Sequence, residues 1–268
     1  MVCTVEIICV GNELLTGDIL NTNAKWLAKH ITQLGGRVRR INTIGDVLDD
    51  FFSALKGVLL RKPTFIIVTG GLGPTFDDKT SQAIANTLNK PITLNDEAFD
   101  MVKKKYRKYE AETLKHIDLT PARLKMARIP YGAKPLSNPV GTAPGIYIKY
   151  DASKIVALPG VPSEMKAMFA NSIVPMIKKA AGAVLVYKKK LKVTGILESE
   201  MAPLIEKIMH NNPLVYIKSR PKAEEPISIL ELQITKIPEP KKKAKNDLDL
   251  VTKQLSQKIL ERGGKVEK

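Results

Sequence analysis

Three short strand-like segments, each ending beside a glycine, constrain this chain more than any other feature. They stop at Gly11, Gly45 and Gly70, and the first and third are mostly aliphatic, which is typical of strands buried on both faces. Between them, apolar residues recur every three or four positions over 22–34 and 48–59, which predicts amphipathic helices. This strand–helix alternation predicts an α/β fold with a parallel-rich sheet flanked by helices.

The loops that follow these strands are expected to converge, because ligands of such folds bind beyond the carboxyl ends of the strands. The third loop reads Thr69-Gly70-Gly71-Leu72-Gly73-Pro74-Thr75. Its glycines permit positive φ and let backbone N–H groups approach an anion. The dipole of the next helix adds to the attraction of a negative charge. The loop lacks the Gly-Lys-Ser/Thr end of a P-loop and the spacing of the dinucleotide fingerprint. A phosphate-binding loop and a plain turn both stay open.

Two adjacent carboxylates, Asp77 and Asp78, follow the glycine loop. Beside an anion site they repel the ligand unless a cation intervenes, and Mg²⁺ uses one or two carboxylates together with substrate phosphates. We expect Asp77 to cap the next helix and Asp78 to take the chemical role, beside Thr80. Asp46 follows the second strand, where it either caps a helix or joins the same metal or substrate site.

Polar residues also follow the first strand. Asn12, Glu13 and Thr16 lie in a tight loop after Gly11, at the same predicted sheet edge. The segment Asn-Thr-Asn at 21–23 fits helix capping better than ligand binding.

The middle of the chain is less regular. A highly charged helix over 95–112 is expected to be a solvent-facing insertion, and the Pro/Gly-rich segment 130–144 is expected to be irregular. Residues 145–150 and 155–158 are predicted to form a hairpin, followed by a helix that starts near Pro162.

A boundary is predicted at Gly182, which gives domains 1–181 and 182–268. The second domain reads strand, helix, strand, strand, helix, over 184–193, 199–209, 214–217, 227–237 and 246–262, respectively. It is predicted to be a small α+β unit.

Bulk composition excludes several classes of protein. No apolar run approaches the ~20 residues that span a bilayer, and the N-terminus lacks the pattern of a signal peptide, so a cytoplasmic location is expected. Cys3 and Cys9 lie too far apart along one strand for a disulfide and are expected to be buried. The net charge is +16, but the lysines look dispersed, so nucleic-acid binding is not expected.

Six separated segments carry a family resemblance. They are Gly11-Asn12-Glu13-Leu14-Leu15-Thr16-Gly17, Asn21-Thr22-Asn23, Ile44-Gly45-Asp46, Thr69 to Thr80, Asn138 to Gly145 and Leu158 to Met165. In this order they resemble the N-terminal part of the competence/damage-inducible protein CinA, within the molybdopterin-binding MoaB/MogA-like superfamily, and also the hydrolase domain joined to eukaryotic FAD synthase. The resemblance covers roughly residues 4–180.

The resemblance implies a three-layer MogA-like fold and one of two chemistries. The leading hypothesis is divalent-metal-dependent hydrolysis of a diphosphate such as ADP-ribose or FAD. The alternatives are a molybdopterin-binding or molybdopterin-adenylylating protein, and a dimeric ligand-binding protein without activity. The ligand is accordingly a nucleotide or a pterin.

The resemblance assigns catalysis to Asp46 and Asp78, which would also hold the metal, Mg²⁺, Co²⁺ or Mn²⁺. With the residues identified above, the predicted substrate-binding set is Gly11, Asn12, Glu13, Thr16, Gly70, Gly71, Gly73, Pro74, Thr75, Thr80, Asn138, Gly141, Thr142 and Gly160.

The segment 182–268 resembles the KH-like linker domain of CinA. Its loop over 219–226 contains no Gly-x-x-Gly clamp, so we expect it to form a homodimer and not to bind nucleic acid. CinA proteins commonly carry a further deamidase domain, and that activity is expected to be absent from a chain ending at Lys268.

Overall fold

A computed structural model of the chain describes residues 3–114, 116–182, 187–222, 229–236 and 243–267, with the backbone alone for 243–247. The chain divides into two compact units: Met1–Thr32 with Gly36–Ala181, and Gly182–Lys268 with Gln33–Gly35. We refer to them as the N-terminal and C-terminal units. Among the described residues, no helix is long and apolar enough to cross a membrane.

The described strands of the N-terminal unit form one large sheet and one small one. They are β1 (Thr4–Val10), β2 (Arg37–Ile44), β3 (Phe65–Thr69), β4 (Ile92–Leu94), β5 (Arg128–Pro130), β6 (Lys134–Leu136), β7 (Gly145–Tyr150) and β8 (Ser153–Leu158). The large sheet has the order β2-β1-β3-β8-β7-β6, in which β2, β1, β3 and β8 are parallel and β7 is antiparallel to both of its neighbours. The small sheet pairs β4 with β5.

Helices flank the large sheet. They are α1 (Asn12–Thr16), α2 (Thr22–Gln33), α3 (Leu48–Leu60), α4 (Thr80–Thr87), α5 (Asp96–Thr113), α6 (Pro121–Lys125), α7 (Pro162–Met168) and α8 (Val174–Ala181). One π turn, Phe169–Ile173, joins α7 to α8. It lies just before Pro175, which cannot donate a helical hydrogen bond.

The core explains why these elements form. Every side chain of β3 is buried, as are those of β1 from Val5 onward, which matches their continuous apolar sequence. One face of the sheet packs with buried residues of α3 and α4, including Phe51, Leu55 and Ile84. The predicted three-layer, parallel-rich α/β fold is therefore confirmed.

The C-terminal unit is an antiparallel sheet with two helices on one face. Its elements are β9 (Lys188–Thr194), α9 (Glu198–Asn211), β10 (Val215–Lys222), β11 (Ile229–Lys236), α10 (Lys243–Leu260) and β12 (Lys265–Glu267), and the strand order is β10-β11-β9-β12. Leu230, Leu232 and Ile234 of the central strand pack in one cluster with buried residues of both helices, such as Leu204 and Leu255. The predicted α+β class is confirmed.

Several local predictions were wrong. The segment expected to be irregular over 130–144 contains β6, a three-residue edge strand that tolerates Pro135 because an edge position leaves an N–H unpaired anyway. Strands β4, β5 and β12 were not predicted either, since three residues are too few to show a period of two. The charged helix α5 is no simple insertion, because Ala98 and Val102 are fully buried in the core.

Strand limits in the C-terminal unit also differ from the prediction. The strand expected from residue 184 begins at Lys188, and residues 184–186 lie outside the described part of the chain. The strand expected over 227–237 spans Ile229–Lys236, and residues 227, 228 and 237 are likewise not described.

Candidate active site

A cleft of about 420 Å³ lies at the carboxyl ends of the parallel strands. It is lined by Val10, Gly11, Glu13, Asp46, Gly70, Gly71, Leu72, Gly73, Pro74, Asp77, Asp78, Met126, Thr142, Ala143, Pro159, Gly160, Val161 and Glu164. The loops after β1, β2, β3 and β8 all contribute. The convergence expected from the strand order is therefore present, and it includes a fourth strand.

Reciprocal hydrogen bonds join the loops after β1 and β2. The Asn12 N–H donates to Asp46 Oδ2 at 2.9 Å, and the Asp46 N–H donates to Asn12 Oδ1 at 3.1 Å. The Gly11 N–H donates to the Ile44 carbonyl at 3.0 Å. Asp46 is thus held by its neighbour loop and does not cap α3, whose N-cap is Val47 without a side-chain bond. Asn12 has a positioning role.

The glycine loop passes very close to β1. A Cβ atom on Gly70 would lie 2.3 Å from the Val10 carbonyl oxygen, and Gly70 has φ +110°. Gly71 also has a positive φ, +68°. Both positions require glycine, for conformation and for space.

Three consecutive amides in the middle of this loop are unengaged. No described residue accepts a hydrogen bond from the backbone N–H groups of Gly71, Leu72 or Gly73, and all three residues line the cleft. Consecutive free N–H groups in a turn form an anion-binding concavity. The geometry favours the phosphate-binding interpretation of the loop over a plain turn.

Buried threonines fix the loop from behind. The Thr80 hydroxyl donates to the Gly70 carbonyl at 2.7 Å, and the Thr80 N–H donates to the Gly71 carbonyl at 3.0 Å. The Thr69 hydroxyl donates to the Pro159 carbonyl at 2.9 Å. Thr80 is only 1% exposed, so it acts as an anchor and does not itself face the cleft.

Thr75 organises the two adjacent carboxylates. Its N–H lies 2.9 Å and its hydroxyl 2.6 Å from Asp78 Oδ2, and the hydroxyl also contacts Asp77 Oδ1. The hydrogen bond from Thr75 lowers the pKa of Asp77 below its ordinary value. The expectation that Asp77 caps α4 was wrong, because the N-cap is Lys79, without a side-chain bond.

Glu164, in the first turn of α7, lines the cleft. Asn138 donates to Glu164 Oε2 at 2.7 Å through Nδ2 and accepts from the Gly141 N–H at 2.8 Å through Oδ1. Asn138 is 3% exposed, and its hydrogen bond orients the Glu164 carboxylate. Glu164 was not among the predicted site residues. The sequence feature that could have indicated Glu164 is its position just after the Pro159-Gly160 loop, which follows a parallel strand.

Asn23 links α2 to the cleft wall. Its Nδ2 donates to the Gly160 carbonyl at 2.7 Å and to the Thr69 hydroxyl at 3.3 Å. The capping prediction holds for Asn21, whose Oδ1 accepts from the Ala24 N–H, but was wrong for Asn23.

The cleft is strongly acidic. Its described lining includes the carboxylates of Glu13, Asp46, Asp77, Asp78 and Glu164, and no lysine, arginine or histidine. Within the described part of the chain, no group of three or more His, Cys, Asp or Glu residues is arranged to hold a metal ion. A cation bound here would complete its shell with water or substrate oxygens.

The predicted residues divide into two sets. Those that line the cleft are Gly11, Glu13, Asp46, Gly70, Gly71, Gly73, Pro74, Asp78, Thr142 and Gly160. Those outside its lining are Asn12, Thr16, Thr75, Thr80, Asn138 and Gly141. Asn12, Thr75, Thr80 and Asn138 each bond directly to a lining residue, whereas Gly141 bonds to Asn138. The Thr16 hydroxyl contacts Asp18 Oδ2 and, at 3.4 Å, the carbonyl of the lining residue Glu13.

A second cavity, of about 190 Å³, adjoins the other side of the glycine loop. It shares Gly71, Gly73 and Asp78 with the cleft, and its walls include Ile92 and Ile129. Its lining is mixed, with isoleucines on one hand and the charged side chains of Asp78, Lys125 and Arg128 on the other. Cys3 and Cys9 belong to neither cavity; burial raises the pKa of both thiols.

The fold and the cleft define a three-layer α/β protein with a glycine loop and carboxylates at the carboxyl edge of its sheet. A family model described as "Probable molybdopterin binding domain" matches residues 6–179. The chain belongs to this family.

Relatives agree with that assignment. A protein of Metallosphaera sedula is 38% identical over 269 residues, which cover 100% of this chain and 98% of that protein. A protein of Pyrobaculum calidifontis is 40% identical over 257 residues, which cover 96% of this chain and 95% of that protein. The crystal structure of CinA from Thermoplasma acidophilum, titled as of unknown function, is 39% identical, with a TM-score of 0.58; the match covers 65% of this chain and 98% of that one. The resemblance to the CinA and MoaB-like family is confirmed.

Proposed function

We propose that the cleft binds a phosphorylated pterin or nucleotide and that the protein is an enzyme acting at a phosphoanhydride. The observation that carries this proposal is the row of free N–H groups at Gly71, Leu72 and Gly73, beside five carboxylates in the same cleft. Free amides in a turn favour an anion. Five carboxylates in one cleft favour a bound cation, and the positive charge of Lys79 and Lys125 acts on one of them, Asp77.

A divalent cation fits this donor set. Asp46 and Asp78 are the residues we assign to it, because hard cations bind carboxylate oxygens and complete their shell with substrate phosphates. When bound, the cation would offset the charge of the phosphate groups and polarise the phosphoryl oxygens. The protein's own part is to hold the phosphates on the loop amides and to orient Asp78 through Thr75.

Adenylyl transfer to molybdopterin is the first candidate reaction, and the family match supports it. Molybdopterin carries both a flat pterin ring and a phosphate. The isoleucines that line the second cavity suit the ring, and the loop amides suit the phosphate.

Hydrolysis of a nucleotide diphosphate such as ADP-ribose or FAD is the second candidate. The observation that favours it is the position of Glu164, a carboxylate held by Asn138 and kept apart from the Asp77–Asp78 pair. A carboxylate at the cleft wall that is not needed for the cation can accept a proton from an attacking water.

One experiment separates the two reactions. Purified full-length protein is incubated with MgCl₂ and, in parallel, with molybdopterin plus ATP, with ADP-ribose, or with FAD. Adenylyl transfer releases pyrophosphate and forms an adenylylated pterin, whereas hydrolysis releases AMP from ADP-ribose or FAD. We expect turnover in one arm, and its loss when EDTA replaces MgCl₂.

Asp78→Asn is the test variant, with Asp100→Asn as its matched control. Both remove one carboxylate, but Asp100 is exposed on α5 and outside the cleft. We expect Asp78→Asn to abolish turnover without unfolding the protein and the control to be unaffected. Full turnover by Asp78→Asn, or full turnover in EDTA, contradicts the assigned cation site.

A further inference from the structure

The sheet of the C-terminal unit has one open face. Along β9, β10 and β11, side chains alternate between the helix-packed core and this other side. From the strand registers, the residues on the open face are Lys188, Lys190, Lys192 and Thr194 of β9, Tyr216, Lys218, Arg220 and Lys222 of β10, Ile229, Glu231, Gln233 and Thr235 of β11, and Lys265 and Glu267 of β12. We call this set the open sheet face.

The open sheet face is strongly cationic. It carries seven lysines and arginines against two carboxylates, Glu231 and Glu267. Apart from Tyr216 and the largely buried Ile229, it presents no large apolar side chain. An apolar partner surface is therefore a poor match for it.

The two carboxylates do not neutralise the face. Glu231 lies 3.1 Å from Lys190 and 3.9 Å from Lys222, and Glu267 lies 3.5 Å from Lys192. The hydrogen bond from Lys190, together with nearby positive charge, lowers the pKa of Glu231 below its usual range. Lys188, Lys218 and Lys265 are exposed, and in the described part of the chain none of these three forms an ion pair with a carboxylate. Arg220 is exposed too and shares the Glu231 carboxylate with Lys190 and Lys222.

The cations form two parallel rows. Alternate residues of one strand lie about 6.8 Å apart, so Lys188, Lys190 and Lys192 form one row of about 14 Å. The opposite row of Lys218, Arg220 and Lys222 lies across the central strand β11. With strands about 4.8 Å apart, the rows are separated by about 10 Å.

We propose that the open sheet face binds the phosphate backbone of a nucleic acid, independently of its sequence. A linear polyanion with regularly spaced charges matches two straight rows of cations, and releasing its counterions supplies the affinity. Gln233 and Thr235, between the rows, can hydrogen-bond to sugar or phosphate oxygens. With Tyr216 as the one exposed aromatic residue among those that form the face, base stacking contributes little and sequence selectivity is low.

Other occupants fit less well. A second copy of the chain would place two cationic faces together, and like charges repel. A membrane surface would favour apolar side chains that insert beside the lysines, and this face has few. The missing Gly-x-x-Gly clamp argues against the groove of a KH module, but the open face lies on the sheet and does not use that loop.

The test uses full-length protein and a fluorescently labelled 20-nucleotide single-stranded RNA of mixed sequence. Affinity is measured by fluorescence anisotropy from 50 to 300 mM KCl. For single strands the slope of log K against log salt is about −0.7 per phosphate contacted, so six contacts predict a slope of about −4. Single-stranded DNA should bind with a similar slope, because the proposal involves only the backbone.

The variant Lys188→Gln/Lys192→Gln/Arg220→Gln removes three cations from the face. Its matched control, Lys104→Gln/Arg107→Gln/Lys108→Gln, removes the same charge from exposed positions of α5. We expect the face variant to reduce the slope by about 2 and the affinity about 50-fold at 0.15 M salt. The control should change affinity less than about threefold.

A charge-conserving variant, Lys188→Arg/Lys192→Arg/Arg220→Lys, should retain binding, which separates lost charge from damaged folding. Circular dichroism melting checks that all three proteins fold. The proposal is overturned by a control that loses as much affinity as the face variant, or by the absence of binding at 50 mM salt. Equal binding of poly-glutamate or of anionic lipid vesicles would overturn it as well, since either means charge attraction without a nucleic-acid partner.

Discussion

Thr80→Val tests the link between the fold and the anion site. The Thr80 hydroxyl is buried and donates to the Gly70 carbonyl at 2.7 Å, and Gly70 is buried too. Valine keeps the shape of threonine but replaces the hydroxyl by a methyl group. The substitution leaves the Gly70 carbonyl without its side-chain partner in a place where water does not replace it.

The expected magnitude follows from that geometry. A buried polar group that loses its hydrogen-bond partner costs about 1–3 kcal/mol of unfolding free energy. We take the loss of unfolding free energy as about 2 kcal/mol. Each kcal/mol lowers the melting temperature of a unit of this size by about 2–4 °C, so the melting temperature should fall by about 4–8 °C. Thr80→Ser is the matched control: it loses one buried methyl group, at about 0.8 kcal/mol, and keeps the bond.

Amide hydrogen exchange reports on the loop without requiring a ligand. The amides of Gly70 and Thr80 donate to the Leu158 and Gly71 carbonyls. Both should exchange faster in Thr80→Val, because the loop loses its anchor, and at nearly the wild-type rate in Thr80→Ser. Equal exchange in the valine variant and the wild type, with an unchanged melting temperature, would refute the anchoring role. So would equal loss of protection in both variants.

The remaining predictions concern other contacts. Gly73→Ala places a Cβ 2.6 Å from Asp78 Oδ2 at a position without positive φ, so Mg²⁺-dependent ligand affinity should fall about tenfold or more, with little change in melting temperature. Gly71→Ala, at φ +68°, should lower both the ligand affinity and the melting temperature. Arg61→Met removes the guanidinium that lies 2.7 Å from the fully buried Glu6 carboxylate, which should lower the unfolding free energy measured in urea by about 3–5 kcal/mol. A loss below about 1 kcal/mol contradicts this, and adding Glu6→Leu to the Arg61→Met variant should recover most of the loss. Sedimentation should show a dimer for the full chain and a smaller species for a truncation to 1–181; a monomeric full chain contradicts the predicted dimer.

Much of the fold follows from local sequence signals. Strands β1 and β3 are mostly apolar and buried, and a glycine follows each of β1, β2 and β3, so the ends of all three strands were predicted correctly. Because loops at the carboxyl edge of a parallel sheet converge, the sequence alone predicted that Gly11, Asp46 and Gly70 lie close together. All three line the cleft.

The missed parts of the site depend on pairing across the chain. The strand β8 was predicted as one arm of a hairpin with β7, which is correct, but its parallel pairing with β3 leaves no local trace. Without that pairing, the loop at Gly160 and the carboxylate of Glu164 have no visible connection to the glycine loop. Asp77 was assigned to a helix cap because capping is the commonest role of an aspartate before a helix, whereas Thr75 holds it at the cleft.

The distribution of charge shows why net charge was a poor guide to partners. The chain has a net charge of +16, yet the described lining of its candidate active site carries five carboxylates and no cationic side chain. The C-terminal lysines looked dispersed in sequence, but alternation in β9 and β10 places them on one face of the sheet. The two proposed sites therefore respond oppositely to ions. Monovalent salt should release a polyanion from the open sheet face by screening, whereas the cleft should bind its phosphate-bearing ligand only when a divalent cation is present.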